Sequence, residues 1–115
     1  FLLTDTMSSR KEIWENSLRF NSQVSLVIET RMSLTHGNVM MFNPQDAKES
    51  KQWVDTLIDD DAPTTDVSLC GTALTIGTTA CIIANLAVNQ MIHHMRGDDP
   101  DPVIEVFLEP LFINT

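Results

Sequence analysis

Basic residues are scarce in this chain: seven lysines and arginines stand against sixteen aspartates and glutamates, for a formal net charge of −9 and an isoelectric point near 4.4. Affinity for nucleic acid rests mostly on Lys and Arg contacts to phosphate, so a general phosphate-backbone binder is not expected. Cysteine is scarcer still. Cys70 and Cys81 lie in what reads as one helix and form neither a CxxC metal pattern nor a disulfide framework, which suits a reducing, cytoplasmic compartment. Long apolar runs are also missing. The most apolar stretch, Cys70 to Gly97, is interrupted by Thr72, Thr75, Thr78, Thr79, Asn85, Asn89 and Gln90, and it lacks the roughly 18 consecutive apolar residues of a membrane span. No membrane partner is expected. There is no charged-then-apolar leader, internal repeat or low-complexity segment, and the chain opens on Phe-Leu-Leu without a methionine. It is therefore expected to begin inside a longer protein.

What is present suffices for a core: 115 residues, 43% of them hydrophobic, make one domain-sized α/β unit spanning 1–115. Its organising element is the Cys70–Gly97 stretch. Leu74, Ala80, Ile83, Ala84, Ala87, Val88 and Met91 recur at spacings of three and four with further apolar residues between them, the pattern of a helix covered on more than one side. Two β-branched segments, VSLVIET before it and VIEVFLE after it, predict the sheet it covers.

Phe1 to Thr4 reads as a short buried parallel strand with Asp5 at its carboxyl end. Ser9 followed at three by Glu12 reads as a capping box opening a helix that carries Ile13, Trp14 and Leu18 inward and stops near Asn21. Val24–Thr30 is the next strand, and His36-Gly37-Asn38 a turn before a partner strand, Val39–Phe42. Asn43 as N-cap, Pro44 at the first helical position and Asp46 in the first turn predict a helix to about Ile58, with Ala47, Val54, Leu57 and Ile58 on its apolar face and Trp53 capping that face. Asp59–Asp66 is a loop. After the long helix, Arg96 and Gly97 form a C-terminal cap, Asp98–Pro102 a turn, and Val103–Glu109 a last strand. The order strand, helix, strand, strand, helix, helix, strand predicts a mixed β-sheet packed by helices.

Three separated features then fall together: FLLTDTMSSR, with Asp5 at the strand end and Arg10 five later; IETRMSLTHGNVMMFNP, an Arg-Met followed by a turn and an apolar strand; and the Cys70-to-Arg96 helix. Together they resemble the second half of a ThiF-type adenylyltransferase domain, whose Rossmann-like fold is shared with ubiquitin-activating enzymes. The resemblance implies that Asp5 helps hold the Mg²⁺ of bound ATP, that Arg10 matches the arginine of the following helix, and that Arg31-Met32 matches the Arg-Met at the end of the next strand, with Arg31 toward the nucleotide. It implies a ubiquitin-like or sulfur-carrier protein as partner. The strands VSLVIET and VMMF and the long helix offer more apolar surface than 115 residues are expected to cover, which predicts pairing with a missing N-terminal half or with a second copy of the chain. The pattern departs from the family at Thr6, commonly asparagine there, and in having no paired CxxC zinc motifs. The glycine-rich GxGxxG loop and the phosphate-gripping arginine and lysine belong to the family's first half and are not in this sequence. The chain alone is thus expected to be inactive and to bind neither ATP nor Mg²⁺.

Each candidate has a plainer alternative. Asp5 could hold Mg²⁺, because ligands of α/β sheets bind outside the carboxyl ends of strands, or it could be a helix-capping loop aspartate. Arg10 could face phosphate or be a solvated charge of the first helical turn, and Arg31 could be a surface arginine. Cys70, just before the long helix, is the candidate nucleophile, since a helix N-terminus lowers a thiol pKa; the alternative is a packed thiol. Cys81 reads as core, His36 as a turn residue, and Asp59-Asp60-Asp61 as a solvated run. His93 and His94 are consecutive and cannot share a helix face as a metal site. A non-catalytic acidic α/β interaction domain is the alternative to the enzyme.

Overall fold

Four strands, β1 (Val27–Met32), β2 (His36–Phe42), β3 (Val103–Leu108) and β4 (Leu111–Asn114), form one sheet in the order β1-β2-β3-β4. The computed structural model describes residues 1–58 and 77–115. β2 and β3 pair antiparallel, as do β3 and β4, and only the antiparallel arrangement allows connections as short as those from β1 to β2 and from β3 to β4. The expected mixed sheet is corrected on this point: among the described residues the fold is α/β with an antiparallel sheet. The run Phe1–Thr4 is not a parallel strand either. Leu2 makes a single isolated bridge and is buried, so its apolar side chain anchors the segment without extending a ladder.

The chain divides into two compact units, Phe1–Val27 with Phe42–Ala62, and Ile28–Met41 with Pro63–Thr115. In the second, strand alternation sorts the side chains. Gly37 opposes Val106 and Val39 opposes Ile104, and these four are buried. Against them lies α3 (Gly77–Arg96), whose buried residues Thr79, Ile83, Ala87 and Gln90 repeat at helical spacing on one face. Both polar members are satisfied: the Thr79 hydroxyl donates to the Leu34 carbonyl at 2.7 Å, and the Gln90 amide donates to the Asp101 carbonyl. These bonds tie the start of α3 to the β1–β2 turn and its later part to the approach to β3. From Thr79 to Gln90 the helix rises about 16 Å, which matches the length of a five-residue strand at about 3.3 Å per residue, so α3 runs along the strands.

Burial of α3 on more than one side is not found, because Val88, Ile92 and Met95 are exposed, as is the Cys81 thiol expected in the core. The predicted C-terminal cap is present. Gly97 has φ +77°, its N–H reaches the His94 carbonyl and the Asp98 N–H reaches the His93 carbonyl, the paired bonds of a Schellman motif. The part of the predicted helix from Cys70 to Ile76, and the loop Asp59–Asp66, lie outside the described residues. Among the described residues no helix is long and apolar enough to cross a membrane.

In the first unit α1 (Met7–Ile13) continues into a π-helical turn, Trp14–Leu18, and α2 spans Ala47–Val54. Thr6, not Ser9, caps α1, its hydroxyl oxygen accepting from the Ser9 N–H at 3.2 Å. Asp46, not Asn43, caps α2 by accepting from the N–H groups of Lys48 and Glu49 at 2.9 Å each. Asn43 instead closes a turn on the Gln45 N–H, which places Pro44 ahead of the helix. α2 ends at Val54, short of Ile58, which is exposed. Trp53 is fully buried at 1% exposure, so it is the centre of this unit and no lid over a helix face. It stacks on Phe42 at 4.8 Å and meets Trp14 at 5.6 Å, and Trp14 meets Phe42 at 6.3 Å. Such pairs contribute about 0.5–1.5 kcal/mol each beyond their buried area.

Candidate functional site

The residues singled out in the sequence fall in different environments. Asp5 sits at a bend just ahead of the α1 cap; it is exposed and makes no hydrogen bond or ion pair among the described residues. Because Thr6 supplies the capping oxygen, the capping alternative for Asp5 does not hold. Arg10 is not the solvated charge its position suggests: it is 4% exposed, and its guanidinium donates through Nη2 to the Thr4 carbonyl. Side chains on a helix lean toward its N-terminus, so an arginine one turn in reaches back to the segment that leads into the helix. A buried guanidinium is tolerated only with such partners.

Arg31, near the end of β1, belongs to the second unit. Its Nε donates to Glu29 Oε1 at 2.8 Å and its Nη2 to Oε2 at 3.0 Å, a bidentate pair between residues two apart on one side of a strand. Glu29 is fully buried and the Arg31 side chain is 15% exposed, so Arg31 is neither a freely solvated surface arginine nor an idle phosphate ligand. Cys70 lies outside the described residues.

His36 is a strand residue, not a turn residue, because the β1–β2 turn closes earlier, with the Ser33 N–H donating to the His36 carbonyl at 2.8 Å. Its ring stacks on Phe107, its cross-strand partner, at 4.3 Å, and Phe107 stacks in turn on Phe112 at 4.3 Å. His36 Nε2 and Asn38 Oδ1, on the same side of β2, are buried without a hydrogen-bond partner. His93 is occupied by Asp98, Nδ1 to Oδ2 at 2.8 Å. Among the described residues no group of three or more His, Cys, Asp or Glu side chains is placed to hold a metal ion.

A groove of about 630 Å³ lies within the first unit. One wall is Lys11, Glu15 and Arg19; the other is Ala47, Lys51 and Val54 of α2; Trp14 and Ser50 lie between them. The π-helical turn shapes it. Eight α-helical steps would carry Arg19 about 80° round the axis from Lys11, and the wider turn, closed by the Arg19 N–H on the Trp14 carbonyl, takes up part of that rotation. Phe20, 84% exposed, stands at its lip with the Arg19 guanidinium 5.1 Å from its ring centre. Sequence reasoning passed over these residues, although Lys11, Glu15 and Arg19 at steps of four were visible as one helix face.

No family model, no curated protein and no solved structure matches the chain.

Proposed function

We propose that the chain is the C-terminal part of an ATP-dependent adenylyltransferase that activates the C-terminal carboxylate of a ubiquitin-like or sulfur-carrier protein, acting in the cytoplasm. The observation that carries this reading is the uncommitted Asp5 carboxylate, left exposed because Thr6 caps the helix. Mg²⁺ at nucleotide sites takes one or two carboxylates together with phosphate oxygens and water, and a single exposed aspartate suits that role. In the reaction the carrier's carboxylate joins the α-phosphorus of ATP and pyrophosphate leaves; Mg²⁺, when bound, offsets charge on the phosphates. Asp5 would hold the metal, and Arg10, fixed to the Thr4 carbonyl, would keep the segment bearing Asp5 in place. Arg31 would reach phosphate only through a change in its pairing with Glu29. The glycine-rich loop that cradles phosphate would come from another part of the protein or a partner. The β4 edge, with Leu111, Phe112 and Ile113 exposed, supports such a partner, whether that part or a second copy.

Pyrophosphate exchange in the intact parent protein tests the reading. Asp5→Asn keeps the shape and removes the charge, and exchange should fall by roughly two to three orders of magnitude, the scale of losing one strong electrostatic contact. Normal exchange in the mutant would remove Asp5 from the site. Exchange absent from the parent itself would favour a non-catalytic acidic α/β interaction domain, a reading supported by the apolar residues Val88, Ile92 and Met95 that α3 leaves exposed.

A further inference from the structure

The chain holds only seven lysines and arginines, yet three of them, Lys11, Arg19 and Lys51, line the groove of about 630 Å³ in the first unit, where Glu15 is the one acid among the described lining residues. Against a net charge of −9 this is a local excess of positive charge beside an apolar floor. Lys51 is partly neutralised by Asp55 at 2.5 Å, so the excess rests chiefly on Lys11 and Arg19. Neither of these forms an ion pair with Glu15 among the described residues, although all three share one helix face. Trp14 lies at the floor beside Val54 of the α2 wall, and Phe20 projects from the rim with Arg19 over its ring. Trp, Phe and Arg are the residue types that anchor protein interfaces.

We propose that this groove docks an acidic amphipathic helix of a partner protein. Its two walls are helical, and from Ala47 to Val54 the α2 wall rises about 10 Å, or two turns, with Leu57 lining the groove beyond the helix end. A helix laid along it would place apolar residues spaced three and four apart on Trp14 and Val54, and carboxylates beside Lys11 and Arg19. A basic helix would meet like charge, and an uncharged one would leave both cations uncompensated, so the charges select the partner as the floor attracts it. The π-helical turn is the backbone feature that brings Arg19 toward the line of Lys11, and such turns recur at functional sites. The proposal does not depend on the adenylyltransferase reading.

The test uses the full chain and a synthetic helical peptide of about four turns, with leucines at i, i+3, i+4 and i+7 and glutamates on the flanks, beside a copy with lysine for every glutamate. Two-dimensional NMR titration should show the acidic peptide binding at tens of micromolar, with shifts at the Trp14 indole N–H and the Val54 and Lys51 amides, and the basic copy not binding. Lys11→Glu and Arg19→Glu, both at exposed positions, should each weaken the acidic peptide about tenfold while leaving the remaining spectrum unchanged. Raising salt toward 1 M, where the screening length falls to about 3 Å, should weaken it as well. Equal affinity for the two peptides, shifts centred on β4 or the exposed stripe of α3, or unchanged affinity in both charge reversals would overturn the proposal. So would binding to anionic phospholipid vesicles with none to the peptide.

Discussion

At Gly37 the backbone of β2 lies close against Ile83 of α3, and Gly37→Ala tests that contact directly. A Cβ built there would lie 2.7 Å from Ile83 Cγ1, 2.9 Å from Ile83 Cδ1 and 2.9 Å from the Arg31 carbonyl oxygen. The side-chain atoms could yield by moving α3, but the carbonyl belongs to the neighbouring strand and cannot move without disturbing the ladder. Overpacking a tight interior costs about 1–3 kcal/mol, whereas alanine in a strand interior gains about 0.5–1 kcal/mol over glycine. The clash wins, for a net loss of about 1–2 kcal/mol. With a urea dependence of about 1–3 kcal/mol per molar, the midpoint should drop by roughly 0.5–1 M. Both tryptophans lie in the first unit, so far-UV circular dichroism should accompany fluorescence to follow the second. Gly77→Ala is the control. It has nothing within 4 Å, and helix propensity predicts no loss and a gain of up to about 1 kcal/mol. Ile83→Ala alone should cost about 2–5 kcal/mol, but in the Gly37→Ala background it removes two of the three clashing atoms. The double variant should therefore be more stable than simple addition predicts, by about 0.5–2 kcal/mol. A Gly37→Ala protein as stable as the parent, or strictly additive costs, would refute the packing argument.

Thr6→Ala should lower stability by about 1 kcal/mol, because the Ser9 N–H loses its capping oxygen, whereas Asp5→Asn should leave the melting curve unmoved. Equal effects would mean the cap is misassigned. Arg31→Ala should cost more than about 1 kcal/mol by removing the bidentate partner of the buried Glu29 carboxylate, while Lys51→Ala, breaking the exposed pair with Asp55, should cost no more than about 0.5 kcal/mol. Chemical denaturation of both variants checks the ranking, and a cheap Arg31→Ala would show that Glu29 finds compensation elsewhere.

Much of the fold could be read from side-chain pattern because local chemistry decides it. Arg96-Gly97 marked the end of α3 since glycine takes the positive φ of that cap without strain. The strands around Val27–Thr30 and Val103–Leu108 were visible in their β-branched runs. What misled was competition between equally good local signals. Thr6 and Ser9 can both cap a helix, as can Asn43 and Asp46, and the choice depends on which oxygen finds a free N–H once the preceding segment is in place. β4 went unseen because Leu111–Asn114 is four residues beyond a proline, too short to show alternation. The α3 stripe was over-read for a related reason: Ala84 and Val88 carry the same periodicity as the buried face but are exposed, since the sheet offers only one surface to cover.

The candidate site was harder because it depends on which neighbours in sequence face inward. Arg10 and Lys11 are adjacent and chemically alike, yet Arg10 is buried against the Thr4 carbonyl and Lys11 lines an open groove. A helix advances about 100° per residue, so adjacent positions must diverge, but the cation that turns inward is set by where the leading segment puts an acceptor. Arginine suits that inward place better than lysine, since its planar head spreads one charge over several donors and is more weakly hydrated. The π-helical turn adds a second choice, a backbone bond from Arg19 to Trp14 that no residue type specifies, and it alone brings a cation two turns on toward the line of Lys11. Trp14 opens that turn and packs against both Phe42 and Trp53, so the aromatic core that stabilises the unit also holds the groove's geometry. A change in the core should then alter the charge pattern at the rim, although no charged residue has been touched.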